Sequence, residues 1–482
     1  IILIGAAMLT SAFRGFGGEE LVKNFLTGLE GGFWAQFVVV MAVIFLLGFF
    51  LDFIEIAVVV VPIVAPILLA DPSANITAVW LGVMIGINMQ TSFLTPPFGF
   101  SLFYLRGVAP PTVKTLHIYR GVIAFIMLQL AGLAIAGYFP ALVNYLPKRI
   151  FLTSENAPPP VNPKLQVCLE EFVFNVYDSE ADLLRSGVER TKGLNVSFIP
   201  EKHQKRLSET HERVLATFGL VENIRNAEKE LALFIVDYRP LHREVRFLEK
   251  KIKFIDADIQ EEERRIRRLE NVGETTGARV SKIKENIASL QSRKSELESK
   301  IPENWKGELE KYLNLAKAEN KARKIYRRNV DEAYEPLLEL RKLIAQHAML
   351  AEVEGDLLSL KSIIADEPEK VAMKKIKVVE KLLGNVAGSS KIKSKISKAR
   401  RALKRNPDRE KAAGFLQQGL ELFSQEVAWR QHASEKLLAA LNEYDGVLFG
   451  SVGARLQNRL SSEQAAFVAG CLSEHQDVSL AF

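Results

Sequence analysis

Cysteine is scarce in this 482-residue chain. Cys168 and Cys471 stand alone, with no neighbour at metal-ligand or redox spacing, so zinc ribbons and CxxC chemistry are excluded and plain thiols are expected. The seven histidines are scattered, and no phosphate loop or nucleophile motif is present. No enzymatic chemistry and no cofactor are therefore expected. A basic n-region and a small-residue cleavage site are also missing at the start, which opens at Ile1 inside an apolar run. The chain reads as having no signal peptide and as the C-terminal piece of a longer protein.

Charge is scarce as well, but only in the first third. Residues 1–147 hold five basic side chains (Arg14, Lys23, Arg106, Lys114, Arg120) of the 63 in the chain. They hold six acidic ones (Glu19, Glu20, Glu30, Asp52, Glu55, Asp71) of 57. One soluble globule is thereby excluded: the first part cannot solvate its own surface, and the rest is too polar to share a core with it.

What is present in the first part is a set of uncharged runs, at 31–51, 56–70, 72–105 and 121–147. A span needs about 20 apolar residues to cross roughly 30 Å of hydrocarbon. Only 121–147 reads as a plain span, closing in the aromatic, proline-bearing "FPALVNYLP" suited to an interface. Residues 1–13 read as the tail of another span, and "GFGGEELVKNFLTGLEGG" after it as a short amphipathic surface helix. The segment 31–70 has two short apolar arms separated by "DFIE" at 52–55. Such arms suit a re-entrant hairpin with Asp52 and Glu55 at its tip; a tight polar turn between two complete spans is the alternative.

The run 72–105 is interrupted by "GINMQTSFLTPPFGF" at 86–100. Proline lacks the backbone donor and clashes with the preceding turn, so Pro96 and Pro97 are expected to break a helix there. A break in lipid is tolerated where the freed backbone groups are buried in protein or line a cavity. Asn88, Gln90, Thr91, Ser92 and Thr95 cluster around it, with oxygen atoms suited to a hard cation or a carboxylate substrate. A proline kink packed against neighbouring helices is the structural alternative.

The strings "GFFLDFIEIAVVVVPIVAPI" at 48–67, "GINMQTSFLTPPFGFSLFYLRGVAP" at 86–110 and "FPALVNYLP" at 139–147 together resemble the C-terminal third of the large membrane subunit of tripartite ATP-independent periplasmic (TRAP) transporters. The resemblance implies an elevator-type secondary transporter of inverted repeats, each with a helical hairpin and a broken helix. It implies sodium-coupled import of an organic acid, delivered by a periplasmic binding protein, beside a small membrane subunit in the bacterial inner membrane. Carried onto this chain, the hairpin covers about 34–70 and the broken helix about 78–105. The candidate ion and substrate residues are Asp52, Glu55, Asn88, Gln90, Thr91, Ser92, Thr95, Pro96, Pro97 and Gly99, with sodium at Thr91, Ser92 and Thr95. The N-terminal repeat of that family is absent from this sequence, and the family core usually stops close to Pro147.

Residues 148–163 read as a proline-containing linker, and 164–482 as a mainly helical soluble extension. Leu241, Val245, Leu248, Ile252, Ile255, Ile259, Ile266 and Leu269 form one heptad seam, and Val280, Ile283, Ile287, Leu290, Leu297 and Ile301 a second, interrupted at Lys294. With "NVGETTG" at 271–277 between them, a coiled-coil hairpin over about 241–301 is expected. Further helices are expected at 307–332, 337–364, 369–384 and 408–443, divided by Pro336, Pro368 and Pro407. The basic run 391–405 reads as a solvated helix face, with anionic lipid the other option and nucleic acid not expected.

The fold class expected is all-α: polytopic membrane helices with a re-entrant hairpin and a broken helix, then a helical extension that supplies no transport chemistry. Its partners are the lipid bilayer and a helical protein. A membrane-anchored coiled-coil scaffold is the competing function. Arg106, Lys114 and Arg120 put the loop 106–120 in the cytoplasm by the positive-inside rule, and hence the extension in the periplasm.

Overall fold

A computed structural model describes residues 5–474, apart from 6, 7, 9, 10, 14, 30, 31, 70–75, 97, 98, 272–276 and 405. All regular structure among the described residues is helical. The chain folds as two compact units, one comprising Ile1–Ala157, Lys229–Lys317 and Ser461–Phe482, the other Pro158–Glu228 and Ala318–Leu460. The soluble extension expected as a single module over 164–482 is thus divided between two units.

The first unit opens with α1 (Gly18–Thr27), entered through Gly17 at φ 80°, a left-handed conformation that glycine takes without a Cβ penalty. Two apolar helices follow, α2 (Gly32–Leu47) and α3 (Phe53–Leu69), both shorter than the roughly 20 residues of a span. Inside α3 the backbone widens to a π turn over Ile56–Val60, with the Val61 amide donating to the Ile56 carbonyl. Pro62 has no amide to continue the regular ladder, which accounts for the local change of pitch.

Next come α4 (Ala78–Leu94) and α5 (Phe100–Val108), and then α6 (Thr115–Tyr138), the one helix among the described residues long and apolar enough to cross a membrane. Helix α6 stops at Phe139, which leaves helical geometry, and Pro140 starts α7 (Pro140–Thr153). The last span therefore ends before Pro147, which lies inside α7, and residues 148–153 are helix rather than linker. Pro140 cannot extend α6, yet its fixed φ suits the first position of a new helix.

Ile44, Ile56, Leu68 and Trp80 are fully buried in the core of these helices, where Phe37 and Trp80 pack with ring centroids 5.4 Å apart. Their outer faces carry exposed Phe103, Phe125, Leu128 and Tyr138. That surface suits lipid and would be costly in water.

The first unit also takes in the latter part of α10 (Glu201–Asn271), α11 (Ala278–Ser299) and the start of α12 (Trp305–Ala345). Val245, Leu248, Ile255, Ile259 and Val280 are buried here, and Lys294 of α11 pairs with Asp256 of α10 at 2.7 Å. Tyr238 stacks on Tyr312 at 4.9 Å and on Trp305 at 5.9 Å. The turn between α10 and α11 falls largely on 272–276, outside the described residues.

The second unit contains α8 (Pro163–Ser179), α9 (Ala181–Lys192) and the helices from α12 onward: α13 (His347–Ala351), α14 (Glu354–Asp366), α15 (Glu369–Gly384), α16 (Ser390–Ala402), α17 (Arg409–Lys436) and α18 (Leu438–Phe449). Pro336, expected to separate two helices, lies inside α12. An interior proline costs about 3 kcal/mol. Its neighbours Ala333, Tyr334, Leu337 and Leu340 are all buried, and at about 1.5–3 kcal/mol for each large apolar side chain their packing outweighs that cost. Of the basic run, Ile392, Ile396 and Ala399 enter the core while Lys391, Lys393 and Lys398 stay exposed, so it is an amphipathic helix face. Neither cysteine is a free thiol: both are disulfide-bonded, an oxidation state that their spacing in the sequence does not reveal.

The candidate site at the helix break

The break between α4 and α5 begins at Thr95, whose backbone is extended at φ −83°, ψ 119°. Its amide donates to the Ser92 carbonyl, and the Gly99 amide donates to the Thr95 carbonyl at 3.0 Å, so the chain turns tightly before α5 starts. Gly99 is required there by space: a Cβ on it would lie 2.5 Å from the Phe93 carbonyl oxygen. Pro96 is half-buried, and Pro97 lies outside the described residues.

Asn88, Thr91, Ser92 and Thr95 fall at i, i+3, i+4 and i+7, which places them on one helix face. Asn88, Thr91 and Ser92 are buried and Thr95 is half-buried. Gln90 is off this face and exposed, so it is not brought to the cluster. Each hydroxyl donates its hydrogen to the helix itself: Thr91 to Ile87 O at 2.8 Å, Ser92 to Met89 O at 2.7 Å and Thr95 to Thr91 O at 2.8 Å. With the donors occupied, each oxygen has lone pairs left to accept. Asn88 donates to the Met41 carbonyl at 2.9 Å, tying α4 to the first arm of the hairpin.

The hairpin turn meets this face directly. A Cβ on Gly48 would overlap the Ser92 hydroxyl, so glycine leaves the room that the Ser92 side chain occupies against the turn. Phe53, just after the turn, packs edge-on against Phe93 at 6.3 Å. Gly48 and Phe53 are the members that reading the sequence missed; the one signal was a glycine within an otherwise bulky apolar run.

Asp52 and Glu55 start the second arm of the hairpin. Asp52 is the N-cap of α3, its carboxylate accepting from the Phe53 amide at 2.7 Å, and Glu55 is exposed in the first turn. Both positions favour an acid, because the free amides and dipole of a helix start attract negative charge. Asp52 is thus committed to the backbone it caps.

Chemically, the break sets the C-terminal end of α4, rich in carbonyl and hydroxyl acceptors, next to the N-terminal end of α5, rich in amide donors. The first suits a cation and the second an anion. Residues 1–142 match the family described as the tripartite ATP-independent periplasmic transporter, DctM component. No curated protein and no solved structure matches the chain.

Proposed function

We propose that residues 1–142, which match the DctM component of TRAP transporters, are a segment of such a large membrane permease, and that the α4–α5 break and the α2–α3 turn form its ion and substrate site. The whole protein then works as a secondary transporter that imports an organic acid with sodium. A periplasmic binding protein delivers the acid, and a small membrane subunit accompanies the permease. The supporting observation is the hydroxyl face of α4: three oxygens whose hydrogens are spent on their own helix, at a helix end whose dipole favours a cation. In this reading α2 and α3, too short to span, enter and leave the membrane from one side.

The extension lies in the periplasm in this proposal. Two observations support it: the basic loop before α6, and the absence of free thiols, which suits an oxidising compartment. A phosphatase reporter that is active only in the periplasm, fused after Thr153, should be active; an inactive, stably inserted fusion puts the extension on the other side.

The transport reading is tested with the complete permease, its small subunit and its binding protein in proteoliposomes. Thr91→Val, Ser92→Ala and Thr95→Val each keep the shape and remove one acceptor. Each should raise the sodium needed for half-maximal uptake by about tenfold, the equivalent of about 1.4 kcal/mol. Unchanged sodium dependence in all three removes the hydroxyl face from the ion site.

A further inference from the structure

The far end of the broken helix is held by a chain of hydrogen bonds that reaches the last helix of the extension. Helix α19 (Ser462–Ser473) begins with a complete capping box, Ser461 with Gln464, and buries Ala465, Val468, Ala469 and Ser473. It packs along α7 in the first unit. At its end the Leu472 and Ser473 carbonyls have no helical partner, and α7 supplies both: Lys148 donates to Leu472 and Asn144 to Ser473 at 3.3 Å. The ammonium at the negative end of the α19 dipole is favourably placed.

Asn144 continues the chain on its other side. Only 2% exposed, it accepts through Oδ1 from the Thr77 hydroxyl, which itself accepts from the Trp80 amide at 3.0 Å as the N-cap of α4. The Trp80 indole donates to the Ala136 carbonyl at 2.9 Å, fixing the same turn of α4 against α6. Every polar atom in the series is used once the Asn144 amide bridges Thr77 and Ser473. Helix α4 then runs about 25 Å, at 1.5 Å per residue, to the break.

We propose that Asn144 is a positioning residue for the broken helix, and that α19 is the element of the extension that holds Asn144 in place. The proposal rests on the permease reading above. A tilt or slide of α4 at Thr77 is carried by a rigid helix to the hydroxyl face, so the extension sets the geometry of an ion site to which it contributes no ligand. Reading the sequence set the extension apart from transport; its final helix is packed into the same unit as the break.

The test uses the full-length protein with its small subunit and binding protein. Asn144→Leu removes the bonds to both Thr77 and Ser473, truncation after Leu460 removes only the α19 side, and Thr77→Val removes only the Thr77 side and leaves α19 seated. Hydrogen exchange of the purified protein reads the seating independently of transport. Exchange at 77–82 should rise in all three variants, and half-maximal sodium should rise about fivefold, the size of a lost cap. Maximal uptake should change less, and Thr77→Ser should behave as wild type, because it keeps the hydroxyl.

A result in which neither exchange at 77–82 nor sodium dependence changes in Asn144→Leu and in the truncated protein overturns the proposal. So does a rise in exchange with unaltered sodium dependence, which makes the contact structural only. Raised exchange at 77–82 in the variants, beside wild-type protein that shows no sodium-driven uptake, overturns the permease reading instead, and the seating of α19 on α7 stands.

Discussion

Two buried polar clusters in this chain use opposite chemistry. At the helix break the buried groups are neutral: Asn88, Thr91 and Ser92, bonded to backbone carbonyls. In the second unit they are charged: Arg323 of α12, nearly inaccessible, pairs with Glu170, Glu228 and Glu319, and Arg327 adds a second bond to Glu170. The guanidinium donors are shared among three carboxylates, and Glu170 is itself buried, so these charges are consumed by one another. The hydroxyls of α4 spend only their hydrogens and keep acceptor capacity. A cluster that satisfies itself has nothing left for a ligand, and removing one member strands the others, whereas one that leaves lone pairs facing a break in the backbone has something to offer an ion.

The largest effect that would break this contrast is in the ionic cluster. Arg323→Met takes the cation from Glu228 and Glu319 and leaves Glu170 with Arg327 alone, and should cost about 3–5 kcal/mol, read as a lowered unfolding midpoint of the protein by circular dichroism. Equal stability of the variant and wild type would mean that these charges are not structural.

A smaller effect comes from His211 on α10, also in the second unit. It is 5% exposed and edge-on to Tyr444 at 5.8 Å. Burial pulls its pKa down from 6.5 to about 4, with the Lys192 charge adding to this and Glu189 opposing it. Because the folded value lies below the unfolded one, the unfolded chain binds the extra proton. The stabilisation is complete above pH 6.5 and is lost as pH falls from there through 4, about 3 kcal/mol in all. His211→Phe should flatten the fall in unfolding midpoint between pH 6.5 and 4; an unaltered pH profile would place the acid sensitivity elsewhere.

The smallest effect sharpens the contrast at the break. Gly48→Ala forces a methyl into the Ser92 hydroxyl and should cost about 1–3 kcal/mol of local packing, with reduced uptake. Adding Ser92→Ala removes the hydroxyl but leaves the Ser92 Cβ position 2.8 Å from the new methyl, so thermal stability should recover only in part. Wild-type stability and uptake in Gly48→Ala would show that the close approach of hairpin and broken helix is not needed.

How far each element was legible follows from the range of the interactions that define it. The end of α4 at Thr95 could be read because a proline cannot donate a backbone hydrogen bond, whatever surrounds it. The common face of Asn88, Thr91, Ser92 and Thr95 follows from the 3.6-residue period alone, by which Gln90, grouped with them in the sequence analysis, falls off the face. The course of α12 through Pro336 was not legible, since the packing that overrides a proline comes from side chains distant in sequence. Nor was the end of the last span at Tyr138, where Pro140 and Pro147 look alike in sequence but one opens α7 and the other is carried inside it.

The sequence by itself determined the all-α class, the split into an apolar first part and a charged remainder, and the family to which residues 1–142 are matched. Hydropathy, charge density and backbone donors are properties of the residues themselves, and they act wherever the chain goes. Only the tertiary structure decided that Gly48 meets Ser92, that both cysteines are oxidised, and that α19 returns to α7. Asn144 and Ser473 are 329 positions apart, and their hydrogen bond is fixed by neither periodicity nor composition. It forms because two orphan carbonyls at a helix end and a buried amide each need a partner, and the fold brings them within reach.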